Sequence, residues 1–149
     1  MAILAKNASR THKVRLPGRT LGLRGASARD LIRQVELGFS FSRLRLLESQ
    51  SGIPVARIAS LIGIPERTLA RRRHSGRLTS EESERLLRVS GIFEKAVDLF
   101  EGDRRAALKW LTSPKKTLEN ETPLLYSRTE LGAREVENLI GRLEHGVFT

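Results

Sequence analysis

Eight arginines fall between residues 43 and 77 against two acids, Glu48 and Glu66, for a local charge of +6. A second basic run, Lys6, Arg10, Lys13, Arg15, Arg19, Arg24 and Arg29, contains no acid and adds +7. Guanidinium groups at this density suit phosphate. Each offers a planar fork of donors, and neutralising a phosphodiester backbone releases its condensed counterions. The competing reading is a solvated arginine face without a partner, and a net charge of +10 on 149 residues weighs against it. From about Thr79 onward the chain is mildly acidic. This asymmetry points to a polyanion-binding half and a half with another task.

Residues for other kinds of chemistry are scarce. Cys is absent, which excludes disulfides, thiolate metal sites and cysteine nucleophiles. The three histidines, His12, His74 and His145, lie far apart, against a histidine metal site. Ser, Asp and Glu are plentiful, but they form no nucleophile–base pattern, and the chain has no Gly-rich phosphate loop. An enzyme is the least favoured class, and no cofactor or metal is expected. No run of about 18 apolar residues occurs, so no membrane span is expected. The start, MAILAKNASR, lacks the apolar region of a secretory signal. A soluble, cytoplasmic protein is expected.

The elements that must position the arginines read as helices throughout. Apolar residues are 39% and aromatics 5% of the chain, so the core is mainly aliphatic. Residues 1–26 mix Gly, Pro, Thr and Arg without periodicity and read as a flexible basic arm, either tracking phosphates or a plain tail. Ser27 caps a helix holding Leu31, Ile32 and Val35, with Gly38 past its end. Ser40 or Ser42 caps a second, with Leu44, Leu46 and Leu47 inward and Gly52 at its stop. Thr79-Ser80-Glu81-Glu82 is a capping box for a helix carrying Leu86, Leu87, Val89, Ile92, Phe93, Val97 and Phe100. Asp103 starts the helix Arg104 to Leu111, which Ser113-Pro114 ends. A polar loop, 115–121, precedes Thr122-Pro123. A last helix runs from about Glu130 to His145. No stretch alternates with period two, so the fold class is all-α.

The segment 52–76, GIPVARIASLIGIPERTLARRRHSG, has the spacing of a helix-turn-helix. Gly63 supplies the positive φ of the turn. Ala59 is small enough for the next helix to cross closely. Ile58, Ile62, Ile64 and Leu69 bury the contacts, and Pro65 presets the second helix. On that recognition helix Glu66, Arg67, Ala70, Arg71 and His74 share a face. Arg67 and Arg71 are assigned to base edges or nearby phosphates, and Arg72, Arg73 and Arg77 to the backbone. Arg72 stands where such motifs usually bury an aliphatic residue, so its stem must cover the core or the helix must tilt. With Arg57 and Thr68, the expected DNA-contact set is Arg57, Glu66, Arg67, Thr68, Arg71, Arg72, Arg73, His74 and Arg77. The competing reading is a helical hairpin with a solvated arginine face.

The last helix carries Ala133, Val136, Leu139, Ile140 and Leu143 on one stripe, which would close the domain. The tail that follows ends in Val147 and Phe148, an apolar pair that frays unless it docks on something. Trp110 and Tyr126 read as core residues.

Three stretches carry a resemblance: AALKWLTSP at 106–114, TPLL at 122–125, and GAREVENLIGRLEHGVF at 132–148. Together they resemble the toxin-binding domain of Xre/MbcA/ParS antitoxins, and RTLARR at 67–72 is similar to the helix-turn-helix of the same family. The resemblance runs from about Leu31 to Thr149. The sequence departs from the family at Glu119-Asn120, where a Gly pair usually follows the Leu. The resemblance implies the antitoxin of a type II toxin–antitoxin pair. Its usual partner is a RES-domain toxin that consumes NAD⁺, with the antitoxin's C-terminal region covering the NAD⁺ pocket. It further implies that the helix-turn-helix binds operator DNA of its own operon and represses it, as a homodimer or as the toxin–antitoxin complex, with a homodimer expected.

The organisation expected is an arm at 1–26, a helix-turn-helix domain at 27–78 and a helical dimerisation and toxin-binding domain at 79–149. Arg134, Glu135, Asn138, Arg142, Glu144, His145, Val147, Phe148 and Thr149 are the expected toxin contacts. Charged groups among them would pair around the toxin pocket, and Val147 and Phe148 would anchor. Two other readings compete: a stand-alone transcriptional repressor whose C-terminal half only dimerises, and a structural protein that coats DNA with little sequence preference.

Overall fold

The computed structural model describes residues 15–146. Eight α-helices follow one another: α1 (Ala28–Leu37), α2 (Phe41–Ser51), α3 (Val55–Leu61), α4 (Glu66–Ser75), α5 (Ser80–Leu99), α6 (Arg104–Leu111), α7 (Pro123–Tyr126) and α8 (Glu130–Glu144). Two 3-10 turns join them, η1 (Arg19–Leu21) and η2 (Lys116–Leu118). The chain is all-α, as its periodicity predicts, and the described residues contain no strand beyond an isolated bridge of Ser40 with Arg77.

The helices start where short polar side chains satisfy their first N–H groups. The Ser27 hydroxyl accepts from the Asp30 N–H at 3.1 Å, and the Asp30 carboxylate accepts from the Ser27 N–H at 3.3 Å. Thr79 and Glu82 make the same reciprocal pair at the head of α5, at 3.1 and 2.9 Å. Asp103, Thr122 and Thr129 each cap the helix that follows. Ser40 precedes α2 without a side-chain capping bond. Gly38 sits at φ 87°, and a Cβ there would lie 2.3 Å from the Leu78 carbonyl oxygen. Only glycine lets the end of α1 approach Leu78 so closely. The Leu78 N–H then donates to the Phe39 carbonyl at 2.8 Å.

Helix α5 is the axis of the fold. Its 20 residues span about 30 Å. Helices α1, α2, α6 and α8 and the turn η1 all pack on it. One apolar core runs from Leu44, Leu47, Ile58 and Ile62 through Leu86, Ile92 and Phe93 to Leu111, Leu124, Val136 and Ile140. The boundary expected at 78/79 falls at the head of α5, whose side chains serve both halves. Ile32, expected inside, is 59% exposed, because α1 turns Leu31 fully inward and Ile32 a quarter-turn or more away.

The expected arm also needs correction. Residues 1–14 lie outside the described residues, but residues 15–26 form a strap docked on α5. Leu21 and Thr20 are buried. The Gly18 and Thr20 N–H groups donate to the Glu94 carboxylate at 3.0 and 2.8 Å, and the Thr20 hydroxyl adds a third bond. Arg19 reaches Asp98 at 3.0 Å and the Glu94 carbonyl at 3.2 Å. Arg43 donates to the Leu21 carbonyl at 2.8 Å. Glu94 is 2% exposed, and a carboxylate so buried requires such donors. Arg19 is therefore engaged by Asp98 and Glu94 rather than open to phosphate, while Arg15, 3.6 Å from Asp98, stays exposed.

The loop around η2 answers the departure at Glu119-Asn120. These residues sit at φ 55° and 64°, the left-handed region that glycine adopts without strain. The turn keeps a glycine-like shape without glycine. It is closed by Asn120 N–H to Lys115 carbonyl at 2.9 Å and plugged by buried Leu118.

Candidate functional site

The basic surface is built on α3 and α4. Gly63 turns the chain at φ 76°. The Ile64 N–H donates to the Ala59 carbonyl at 2.8 Å, which brings α4 across α3 at its small residue. Ile58, Ile62, Ile64 and Leu69 are buried between the helices and the core. Pro65 stands just before the first turn of α4. This is the helix-turn-helix geometry that the spacing predicts.

Outward from that frame, Glu66, Arg67, Ala70, Arg71 and His74 are exposed on α4, and Arg57 is exposed on α3. Thr68 is half-buried, and its hydroxyl lies 3.5 Å from Arg71 Nη2. Arg57, Arg67, Arg71, Arg73 and Arg77 enter no ion pair among the described residues. A surface of free guanidinium groups around one helix is what a polyanion requires.

Two of the expected backbone contacts are placed differently. Arg72 turns inward, and its Nε donates to Glu82 Oε1 at 2.8 Å with only 22% of the side chain exposed. The aliphatic slot of the motif is thus filled by an arginine stem whose charge is met by the α5 cap. Burial pushes the Glu82 carboxyl up, but the bonds from Arg72 and Thr79 outweigh it and hold the group below the usual carboxylate range. The same bond raises Arg72 against its own partial burial. Arg77 stays exposed, but its Nη1 donates to the Gly38 and Leu37 carbonyls at 2.9 and 3.4 Å, closing the end of α1.

The second surface is the outer side of α8. Gly132, Ala133, Val136, Leu139 and Ile140 face the core. Gly132 is required there, since a Cβ would lie 1.8 Å from the Tyr126 carbonyl oxygen. On the opposite side, 100° steps bring Leu131, Arg134, Glu135, Asn138, Arg142 and His145 together. Arg134, Glu135, Asn138 and His145 are exposed and Arg142 is half-buried. Glu144 is exposed but points away from this group by more than a quarter turn. Val147, Phe148 and Thr149 lie outside the described residues.

Sequence reasoning passed over Leu131, which is 75% exposed at the N-terminal end of that side, and Leu125 on α7, 42% exposed. The signal was present, because Leu131 falls off the apolar stripe of its own helix. Some charges nearby are already met, Arg134 with Glu130 at 3.0 Å, Lys95 with Glu137 at 2.8 Å and Arg128 with Glu121 at 3.2 Å, whereas Glu135 and Arg142 enter no ion pair among the described residues. The described residues hold no cluster of His, Asp and Glu suited to a metal. No described helix is long and apolar enough to cross a membrane.

Comparison with known proteins agrees with this division. Residues 30–91 match the antitoxin Xre-like helix-turn-helix domain, and residues 95–146 match the antitoxin Xre/MbcA/ParS C-terminal toxin-binding domain. The chain is 44% identical over 138 residues to the antitoxin Xre of Yersinia enterocolitica serotype O:8 / biotype 1B, covering 92% of this chain and 93% of that one. It is 35% identical over 132 residues to the antitoxin Xre of Photorhabdus laumondii subsp. laumondii, covering 88% and 89%. A third relative, the antitoxin Xre of Pseudomonas putida, is 34% identical over 84 residues, covering 56% and 52%. With a helix-turn-helix and a toxin-binding module joined through one long helix, the chain belongs to the Xre antitoxin family.

Proposed function

We propose that this protein binds and neutralises a RES-domain toxin that consumes NAD⁺, and that it represses its own operon through α3 and α4 as a homodimer in the cytoplasm. It acts by binding, without a cofactor and without catalysis of its own. The observation that carries the toxin half is the outer side of α8. An exposed leucine there begins a strip of polar and oppositely charged residues, inside the segment that matches a toxin-binding domain. Leu131 is an apolar anchor at the start of α8, and Arg134, Glu135, Asn138, Arg142 and His145 carry a polar strip from it along the same side. The tail after Leu143, which the sequence carries to Val147 and Phe148, extends this surface toward the toxin's NAD⁺ pocket and closes it by exclusion. The DNA-binding unit and the toxin-binding unit share α5.

The test is to co-express the tagged protein with the product of the adjacent reading frame, then to strip and refold the partner and assay NAD⁺ hydrolysis. A stable complex that turns NAD⁺-consuming on stripping is expected. No complex would leave a stand-alone repressor as the reading. A chain ending at Leu143 is expected to free the toxin while DNA binding persists, and normal growth with that truncation would overturn the role of the tail.

A further inference from the structure

Phe41, the first residue of α2, is 4% exposed, yet two guanidinium groups lie over its ring. Arg45 Cζ is 5.4 Å and Arg73 Cζ 5.6 Å from the ring centroid. One arginine belongs to α2 and the other to α4. Their proximity is held by backbone bonds: Phe41 N–H donates to the Gly76 carbonyl at 2.8 Å, and Leu78 N–H to the Phe39 carbonyl at 2.8 Å. Both arginines are exposed, and among the described residues neither pairs with a carboxylate. Two like charges gathered on one ring repel each other, and an anion between or beside them relieves that repulsion.

Their place on the helix says which anion. Arg72 and Arg73 straddle buried Leu69 and so leave α4 on opposite sides of its inward stripe, along the two edges where the helix meets the rest of the fold. The Arg72 flank is closed by Glu82. The Arg73 flank is open and is extended sideways by Arg45. A helix seated in a major groove has a sugar–phosphate strand along each flank. Attraction to the Phe41 ring holds both guanidinium groups in place in advance, and neither is taken up by a carboxylate among the described residues, so both can meet phosphate oxygens. We propose that Arg45 and Arg73, held over Phe41, form a clamp for a DNA backbone phosphate on one flank of α4. The clamp rests on the DNA-binding reading and adds to it a third helix, α2, which lies outside the helix-turn-helix.

The experiment is a set of fluorescence anisotropy titrations of the full chain across a salt series. One labelled duplex comes from upstream of the chain's own reading frame and the other is of unrelated sequence. Arg45→Ala and Arg73→Ala are each expected to weaken both duplexes by about 3–10-fold and to lower the salt slope by about one, with the ratio between duplexes unchanged. Arg71→Ala is expected to reduce that ratio. Phe41→Leu, which keeps apolar volume but removes the ring, is expected to give a smaller loss with the slope retained. Parent affinity and slope in Arg45→Ala, with an unchanged melting curve, would overturn the clamp while DNA binding stands. A loss in Arg45→Ala confined to the upstream duplex would also overturn it, since that residue would then be reading bases. Failure of the parent to bind either duplex would remove the DNA-binding reading itself, and the clamp with it.

Discussion

The outer faces of α4 and α8 treat charge in opposite ways. On α4 and its neighbours, Arg45, Arg57, Arg67, Arg71 and Arg73 are exposed, without a carboxylate partner among the described residues. On α8 the charges are of both signs, Glu130, Arg134 and Glu137 are matched within the fold while Glu135 and Arg142 are not, and the large exposed side chain is Leu131. A surface meant for a polyanion keeps its cations free, because its binding energy comes from meeting phosphates and releasing counterions. A surface meant for a folded partner gains most from apolar anchors, and rim charges already met at home cost little to bring near another protein. The two halves of one small chain thus present different physics, although a single helix carries both.

Exchanging the character of the two faces gives the largest expected effects. Leu131→Arg is expected to weaken neutralisation of the cognate toxin by more than about 100-fold, since it puts an unmatched charge where an apolar contact is made. DNA affinity should stay at the parent value. Arg71→Glu should do the reverse, with a loss of more than about 100-fold in anisotropy titrations and co-purification with the toxin retained. Loss of both functions in either variant would break the comparison.

Salt sharpens it. Between 50 and 200 mM salt, DNA affinity is expected to fall by about 100-fold or more as several free arginines lose their advantage. The toxin complex, measured by calorimetry over the same range, should weaken by less than about threefold, because its surface charges are of both signs and its anchor is apolar.

A smaller effect tests the one closed flank of α4. Glu82→Ala removes a helix cap and the partner of Arg72, at an expected cost of about 1–2 kcal/mol in chemical denaturation. The acid dependence follows from the depressed Glu82 carboxyl. Its contribution is present above the ordinary value of 4.5 and is lost as pH falls through the lower value of the folded state. Glu82→Gln should therefore flatten part of the stability loss below about pH 4.5. Least of all, Glu119→Gly should stabilise the partner half by about 0.5–1 kcal/mol, since glycine adopts φ 55° without strain. DNA binding should not respond.

Much of this could be read from local signals. The caps at Ser27, Thr79, Asp103 and Thr122 act within three residues of themselves, so the side chain that starts each helix is written beside it. The turn at Gly63 and the buried set Ile58, Ile62, Ile64 and Leu69 follow from helical spacing and the one conformation glycine makes cheap. The arginines of the outward α4 face were legible in the same way. Residues 15–26 were misread for the converse reason. They have no periodicity of their own, and their order comes from Glu94 on a distant helix.

The sequence alone determined the all-helical class, the position of the helix-turn-helix, the division of charge between the halves and, through the GAREVENLIGRLEHGVF stretch, the family. These depend on composition, on spacing within a helix, or on motif identity. Only the tertiary structure decided which charges are free. Arg72 is tied to Glu82 and Arg19 to Asp98, while Arg45 and Arg73 both lie over Phe41. A guanidinium group takes whatever partner packing brings within reach, and Arg72 with Glu82, Arg19 with Asp98 and Arg73 with Phe41 each join two different elements.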